Sequence, residues 1–355
     1  MIIEGSWISH LKPNDRQRLN SKSLNLECVS IFHTFDYAEI VLEEYNIDAY
    51  ITWIEERKTG QIIAMGCFYP VGARSVFGLR SELSPHIFGA TYQTIQCSKK
   101  ECYDTYLNDI AAHIKKNVNK SIVLVEKIED IQAPYRGSNR IYGIYTGELK
   151  RSYDEYWATQ ISSKTRNLVR KAKKFHHQIS IENGDCLEEF YHLYCLQMQR
   201  LGAPLHSLEY FKSLNETFKN QVYFSNVRIN GKLAASMILT RCGNILSNPW
   251  SIYDWENRNN LVNYENYAHA LTFAHELGVK QFDFGRSIYN SRNSKFKIGF
   301  GARGIPLYML HGETKKIAHP PDAEKMIYTI CIAVWRVLPI FVLKRISLLF
   351  LRIFG

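Results

Sequence analysis

The sequence predicts an α/β chain of two domains, each a mixed, mostly antiparallel sheet flanked by helices, with an apolar and basic helical tail. Three observations carry this expectation. Runs with strand period and runs with helix period alternate along most of the chain. The order of elements in the first half recurs, at greater length, in the second. At 355 residues the chain exceeds the usual size of one domain, and 46% apolar residues suffice for two cores. The expected division is 1–150, 151–318, and a tail at 319–355.

In the first half, residues 28–32 form an apolar run and 37–45 read as a helix. Residues 50–56 and 61–70 are β-branched and aromatic runs around a turn at Lys58-Thr59-Gly60, which is a hairpin pattern. Residues 76–90 are loop, punctuated by Gly and Pro. Residues 103–116 predict a helix with Tyr106, Ile110, His113 and Ile114 near one face, and 121–126 a short buried strand. Residues 127–160 are rich in Gly and Tyr, hold a strand at 140–145 and contain the domain junction.

The second half opens on a basic helix, 163–177. Arg166 and Arg170 recur at helical spacing, opposite a stripe of Leu168, Val169, Ala172 and Phe175. Such a face is either a solvated surface or a rail for phosphates. Helices follow at 187–201 and, capped by Ser207, at 207–218. Residues 222–229 and 232–240 flank Asn230-Gly231, the strongest hairpin signal in the chain. A strand at 244–250 and a helix at 263–277, stopped by Gly278, come next, and 307–311 is the last strand.

Between them lies KQFDFGRSIYNSRNSKFKIGFG, residues 280–301. Phe282 and Phe284 alternate with Gln281 and Asp283, so two rings point to one face and Asp283 to the other. Gly285 permits a sharp exit, and Arg286 and Ser287 follow at the strand's C-terminal end, where ligands collect in open α/β sheets. Phe296 and Lys297 then precede Gly299 and Gly301. Carboxylate, guanidinium and ammonium thus crowd one short span; an ordinary βα unit with charges facing water is the competing reading.

The 44 Lys and Arg against 34 Asp and Glu leave a formal charge of +10, which favours an anionic partner. The eight cysteines show no CxxC and no zinc spacing with His, so no metal is expected, and free, mostly buried thiols suit a reducing cytoplasm. The start, MIIEGSWISH, lacks the features of a secretory signal. The tail is apolar and basic, interrupted by Arg336 and Pro339 and preceded by Pro320-Pro321. No charge-free run reaches the ~18–20 residues a membrane span needs. A helix lying on the membrane surface is expected, with packing on the body or on a second subunit as the alternative. The histidines, His176, His177, His206, His269 and His275 among them, are expected to be structural or at the surface.

The series KTRNLVRKAKK, QMQRLGAPLHSLEYF, NGKLAASMIL, FDFGRS and SKFKIGFGARGIPLYML resembles, in order, the FemAB-like family of tandem GNAT-like acyltransferases. In the first half LRSELSPHIFGA followed by SIVLVE is similar to the same family, so the resemblance covers residues 50–310. The tail, with Trp335 and Pro339, resembles a subgroup associated with exosortase and exopolysaccharide genes. The resemblance implies two GNAT-like domains and transfer of an aminoacyl or acyl group to an amine in envelope or exopolysaccharide synthesis. No bound cofactor is implied; the co-substrate would be aminoacyl-tRNA or acyl-CoA. The family's Phe-Lys pair falls on Phe296 and Lys297. Lys297 is then the cation for the transition state or the donor phosphate, and Asp283 the base or the group that orients the amine. Arg286, Ser287, Phe296, Arg166 and Arg170 are the expected substrate contacts. In one respect the chain departs from GNAT domains that use acyl-CoA. Their glycine-rich pyrophosphate turn is replaced by NRNNLVNYENYAHA, with Arg258 and no glycine. This favours the tRNA-type donor. The alternatives are an acyl-CoA or acyl-carrier donor, and a scaffold without catalysis that binds a lipid-linked saccharide or tRNA.

Overall fold

The computed structural model describes residues 1–22, 26, 30–70, 82–84, 94–127, 142–311 and 326–354. Cys28 and Val29 of the 28–32 run, most of the 76–90 loop, residues 128–141 of the junction and Pro320-Pro321 lie outside the described residues. Two compact units emerge. The first comprises Met1–Ile128, Leu307–Asp322 and Ile346–Gly355; the second comprises Glu129–Pro306 and Ala323–Arg345. The chain thus changes unit some twenty residues before the expected cut at 150. The strand at Tyr142–Glu148, just before that expected cut, explains this: it hydrogen-bonds to a strand of the second unit.

In the first unit β1 (Ile2–Trp7) pairs antiparallel with β2 (Tyr50–Glu55), and β2 with β3 (Ile62–Pro70). The hairpin closes where Gly60, at φ +66, enters the turn. Short strands β4 (Glu82–Ser84) and β5 (Gln96–Cys97) pair with β3. β4 runs parallel to β6 (Ser121–Lys127), which is antiparallel to residues 307–311. After α1 (Pro13–Lys22), helix α2 (Phe35–Tyr45) starts two residues earlier than expected, because Thr34 Oγ1 accepts the N–H of Tyr37. α3 (Tyr103–Val118) buries Tyr106, Leu107, Ile110 and Ile114; His113 is half-buried beside the Tyr50 hydroxyl.

The second unit holds a sheet in the order β7, β12, β11, β10, β9, β8. These are Tyr142–Glu148, Gln281–Ile288, Ile245–Tyr253, Lys232–Cys242, Val222–Ile229 and Gln178–Glu182. All neighbours are antiparallel except β11 and β12, which are parallel. Asn230 and Gly231 both take positive φ, which the two-residue turn between β9 and β10 requires. One face is covered by α4 (Tyr153–Thr159), α5 (Ser163–Lys173) and α8 (Val262–Glu276), around Phe282, Phe284, Met237 and Leu246. α6 (Leu187–Leu201) and α7 (Leu208–Thr217) cover the other, where Phe190 meets Phe224 and Phe211 meets Trp250.

α9 (Arg292–Gly299) precedes β13 (Arg303–His311), and the tail forms α10 (Met326–Val337) and α11 (Ile340–Phe354). Among the described residues no helix is long and apolar enough to cross a membrane. The tail is not free of the body, as a purely surface-lying helix would be. Ile332 sits against Gly202, where a Cβ would come within 2.6 Å of it, and Gln199 Nε2 donates to the Leu338 carbonyl at 2.7 Å. Trp335 is buried. Cys67, Cys186 and Cys195 are buried free thiols, but Cys242 is disulfide-bonded, contrary to the expectation of uniformly free cysteines.

Candidate functional site

The parallel pairing of β11 with β12 ends at Ser247 and Asp283. Two local features end it. Pro249 has no N–H to continue a ladder. Gly285 takes φ +73, and the register with β7 shifts between Asp283 and Arg286. A Cβ at Gly285 would stand 3.0 Å from the Asn248 carbonyl oxygen. Where the pairing stops, a cavity of about 660 Å³ lies against both strands. Asn248, Pro249 and Ser251 of β11 line it, as do Phe284, Gly285, Arg286 and Ser287 of β12.

Lys297 enters this cavity from α9. It occupies the last turn of that helix. The helix is held at both ends. Ser291 Oγ accepts the N–H of Ser294 at 3.2 Å, the Ser162 N–H donates to Gly299 O at 2.9 Å, and the Tyr156 hydroxyl donates to Phe300 O at 2.8 Å. Phe296 packs edge-on against Tyr264 and Tyr267, with centroids 5.0 Å away in each case. Lys297 is 8% exposed. Its Nζ donates to Gly285 O at 3.1 Å and to Arg286 O at 2.9 Å. Nζ also lies 5.7 Å from the Tyr145 ring centroid, and among the described residues these two carbonyls are its hydrogen-bond acceptors, out of the three an ammonium can use. Burial lowers the Lys297 pKa to about 8; Asp283 acts against that fall, and Arg286 adds to it.

Asp283 does not line the cavity. It is 4% exposed, and its Oδ1 accepts the Gly285 N–H at 2.8 Å. In this geometry it braces the glycine bulge and supplies a counter-charge for Lys297. Arg286 and Ser287 line the cavity; the guanidinium of Arg286 lies 5.5 Å from the Tyr142 ring centroid, and burial lowers its pKa to about 10.

Arg166 and Arg170 do not line it. The guanidinium of Arg166 donates to Trp157 O, Ala158 O and Ile161 O at 3.1, 2.8 and 2.6 Å, closing the C-terminal end of α4. Arg170 lies over Trp157, 5.9 Å from the ring centroid. The expected phosphate rail on this helix is thus, for Arg166, a clamp on backbone carbonyls. The apolar stripe also stops short: Phe175, past the end of α5, is exposed.

Other cations take that place. Arg200, Arg258 and Arg292 join Arg286 and Lys297 in the cavity wall, which among the described residues holds no Asp or Glu. Arg200 and Arg258 both lie over Trp255, 4.1 and 4.9 Å from its centroid. Arg258 alone had a local signal, from its position where a phosphate turn is expected. No local pattern marks Arg200 on α6 or Arg292 on α9. At the missing glycine turn, Leu261 takes φ +58, and α8 begins at Val262 with no side-chain cap on its first N–H groups. Leu261, Val262 and Asn263 line the cavity, so the positive end of a helix dipole faces it without glycines. Three of the described histidines are structural in their contacts. His177 pairs with Glu265 at 2.6 Å, His275 Nδ1 donates to Leu271 O, and burial lowers His206 to about 3. No metal-holding group of His, Cys, Asp and Glu occurs among the described residues.

Residues 159–297 match the family model of the acetyltransferase (GNAT) domain. That span runs from the end of α4 to Lys297 and includes the cavity's cations. No curated protein matches the chain significantly. Among solved structures, the chain is similar to FemX at 13% identity and TM-score 0.58, over 85% of this chain and 95% of that one. It is similar to L-PGS from Bacillus licheniformis at 11% identity and TM-score 0.53, over 92% and 96%. A third is the C-terminal domain (DUF2156) of a putative lysylphosphatidylglycerol synthetase from Agrobacterium fabrum, at 10% identity and TM-score 0.52, over 83% and 91%. The family match and these likenesses show the fold: a two-unit α/β chain whose second unit is GNAT-like.

Proposed function

We propose that the protein is an N-acyltransferase that passes an aminoacyl or acyl group from a phosphate-bearing activated donor to an amine of an envelope or exopolysaccharide precursor. The observation that carries this reading is the Lys297 ammonium, buried in the cavity wall and held by two carbonyls where β11 and β12 part, with no third hydrogen-bond acceptor among the described residues. In the reaction a neutral amine attacks an ester or thioester carbonyl. A C–N bond forms, the C–O or C–S bond breaks, and the proton lost by the nitrogen ends on the departing oxygen or sulfur, which leaves as the alcohol or thiol of the donor. Lys297 would stabilise the oxyanion that develops on that carbonyl, a contribution of about 3–4 kcal/mol for one well-placed donor. Holding amine and carbonyl in line in the cavity would contribute up to about 7–11 kcal/mol more.

The donor class follows from charge. Among the described residues five cations and no carboxylate line the cavity, and the α8 N-terminus opens onto it, which suits the phosphates of aminoacyl-tRNA or of acyl-CoA. Likeness to FemX and to synthetases named for lysylphosphatidylglycerol supports an envelope acceptor and a donor that carries an amino acid. The open N-terminus of α8 favours acyl-CoA as the second donor reading.

The test is mass spectrometry of amine-bearing envelope precursors incubated with charged tRNA and, separately, with an acyl-CoA panel. A mass gain with either donor that is lost in Lys297→Ala supports the reading and names the donor. Precursors that bind yet gain no mass with any donor would replace it with a non-catalytic scaffold.

A further inference from the structure

The tail has a side that neither packing nor acyl transfer uses. Helix α10 buries Trp335 and lays Ile332 on Gly202, but its opposite side is bare. Ile330 is 55% exposed, Val334 49% and Val337 80%; they recur at spacings that place them together on one face. Phe341, in the first turn of α11, is 65% exposed. Arg336 and Arg345 are exposed beside them, while the Lys344 ammonium lies over the Tyr191 ring of α6, 4.7 Å from its centroid, and no Asp or Glu occurs anywhere in residues 326–355.

We infer that this cation-flanked apolar face docks on an anionic lipid surface. Large aliphatic and aromatic side chains enter the acyl boundary, while Lys and Arg meet the lipid phosphates. A second copy of the chain is the poorer occupant, because a two-fold interface through this face would set its cations against their own copies. The location has a consequence for the site. Gln199 and Gly202 hold the tail, and Arg200 and Leu201, between them on the chain, line the cavity. Docking therefore brings the cavity-lining end of α6 to the lipid surface, where a lipid-borne amine is the natural acceptor. That last step rests on the acyl-transfer reading; the docking does not.

Flotation of the full chain with vesicles tests it without turnover. Vesicles of phosphatidylcholine with phosphatidylglycerol should carry the protein up, and vesicles of phosphatidylcholine alone should carry much less. Arg336→Gln with Arg345→Gln should weaken binding about fivefold per cation removed, and added salt should do the same. Val337→Asp with Phe341→Asp, at exposed positions, should abolish it while the thermal midpoint stays unchanged. Lys297→Ala should float like the natural protein, so loss of catalysis and loss of docking read separately. Three results would overturn the inference: no binding to anionic vesicles, equal binding to both kinds, or undiminished binding by the Val337/Phe341 variant. A dimer in light scattering that this variant disperses would also overturn it, and would assign the face to a second copy.

Discussion

The Gly285 carbonyl oxygen lies 3.1 Å from Lys297 Nζ, while the N–H of the same glycine is held by Asp283. One residue in a left-handed conformation thus links a buried acid to a buried base across a break in the sheet. A side chain at this position would be strained at φ +73 and would press on the Asn248 carbonyl. Gly285→Ala should lower stability by about 1–3 kcal/mol, read as a fall in thermal midpoint, with loss of turnover.

The pH dependence follows from Lys297. With a pKa lowered to about 8 by burial, it is charged below that value and neutral above it. As the cation that stabilises an oxyanion, it should lose rate as pH rises through about 8; a rate that rises there would mark it as a base. The stability sign is opposite. Below about 8 the lysine is protonated in both folded and unfolded chains, and the burial penalty is fully present. Between about 8 and the ordinary value of 10.5 the unfolded chain binds more protons, so this group adds stability as pH rises. Comparing urea midpoints of the natural chain and Lys297→Met across that range isolates the effect.

Asp283→Asn keeps an acceptor for the Gly285 N–H but removes the charge that holds the Lys297 pKa up. The alkaline limb of the rate profile should move to lower pH, with turnover at its plateau reduced less than tenfold. A loss of about a thousandfold at every pH would instead identify Asp283 as the proton acceptor.

Arg200 and Arg258 share the Trp255 ring at the cavity. Replacing either with Ala should raise the KM for a phosphate-bearing donor about tenfold and flatten its salt dependence, leaving kcat nearly unchanged. Equal KM values for both variants and the natural enzyme would remove these residues from donor binding.

Arg166 makes the opposite prediction. Its three carbonyl contacts make it a structural residue, so Arg166→Ala should cost about 1.5–3 kcal/mol of stability, seen in denaturant midpoints. Donor KM should stay where it is; a selective rise in KM would restore the phosphate rail.

Much of the second unit was legible in the chain because its signals are local. The Asn230-Gly231 turn, the Ser207 cap and the alternation of Phe282 and Phe284 depend on residues within a few positions of one another. The grouping of Gly285, Arg286, Phe296 and Lys297 was legible for the same reason, since they fall in one short span. The rest of the site depends on which strands and helices become neighbours. Asn248 faces Gly285 only because β11 and β12 pair in parallel, and Arg200 reaches the same cavity from α6. Asp283 reads as a free acid in the chain, yet the backbone turn at Gly285 takes its carboxylate inward. Periodicity also shows the tail to be apolar and basic, but not which side of it is covered; Gly202, by lacking a Cβ, decides that. The sequence by itself determined the elements, their order and the short span that holds the ammonium, because caps, turns and alternation act between near neighbours. Only the tertiary structure decided which distant cations share the cavity, because strand pairing and helix packing set those distances.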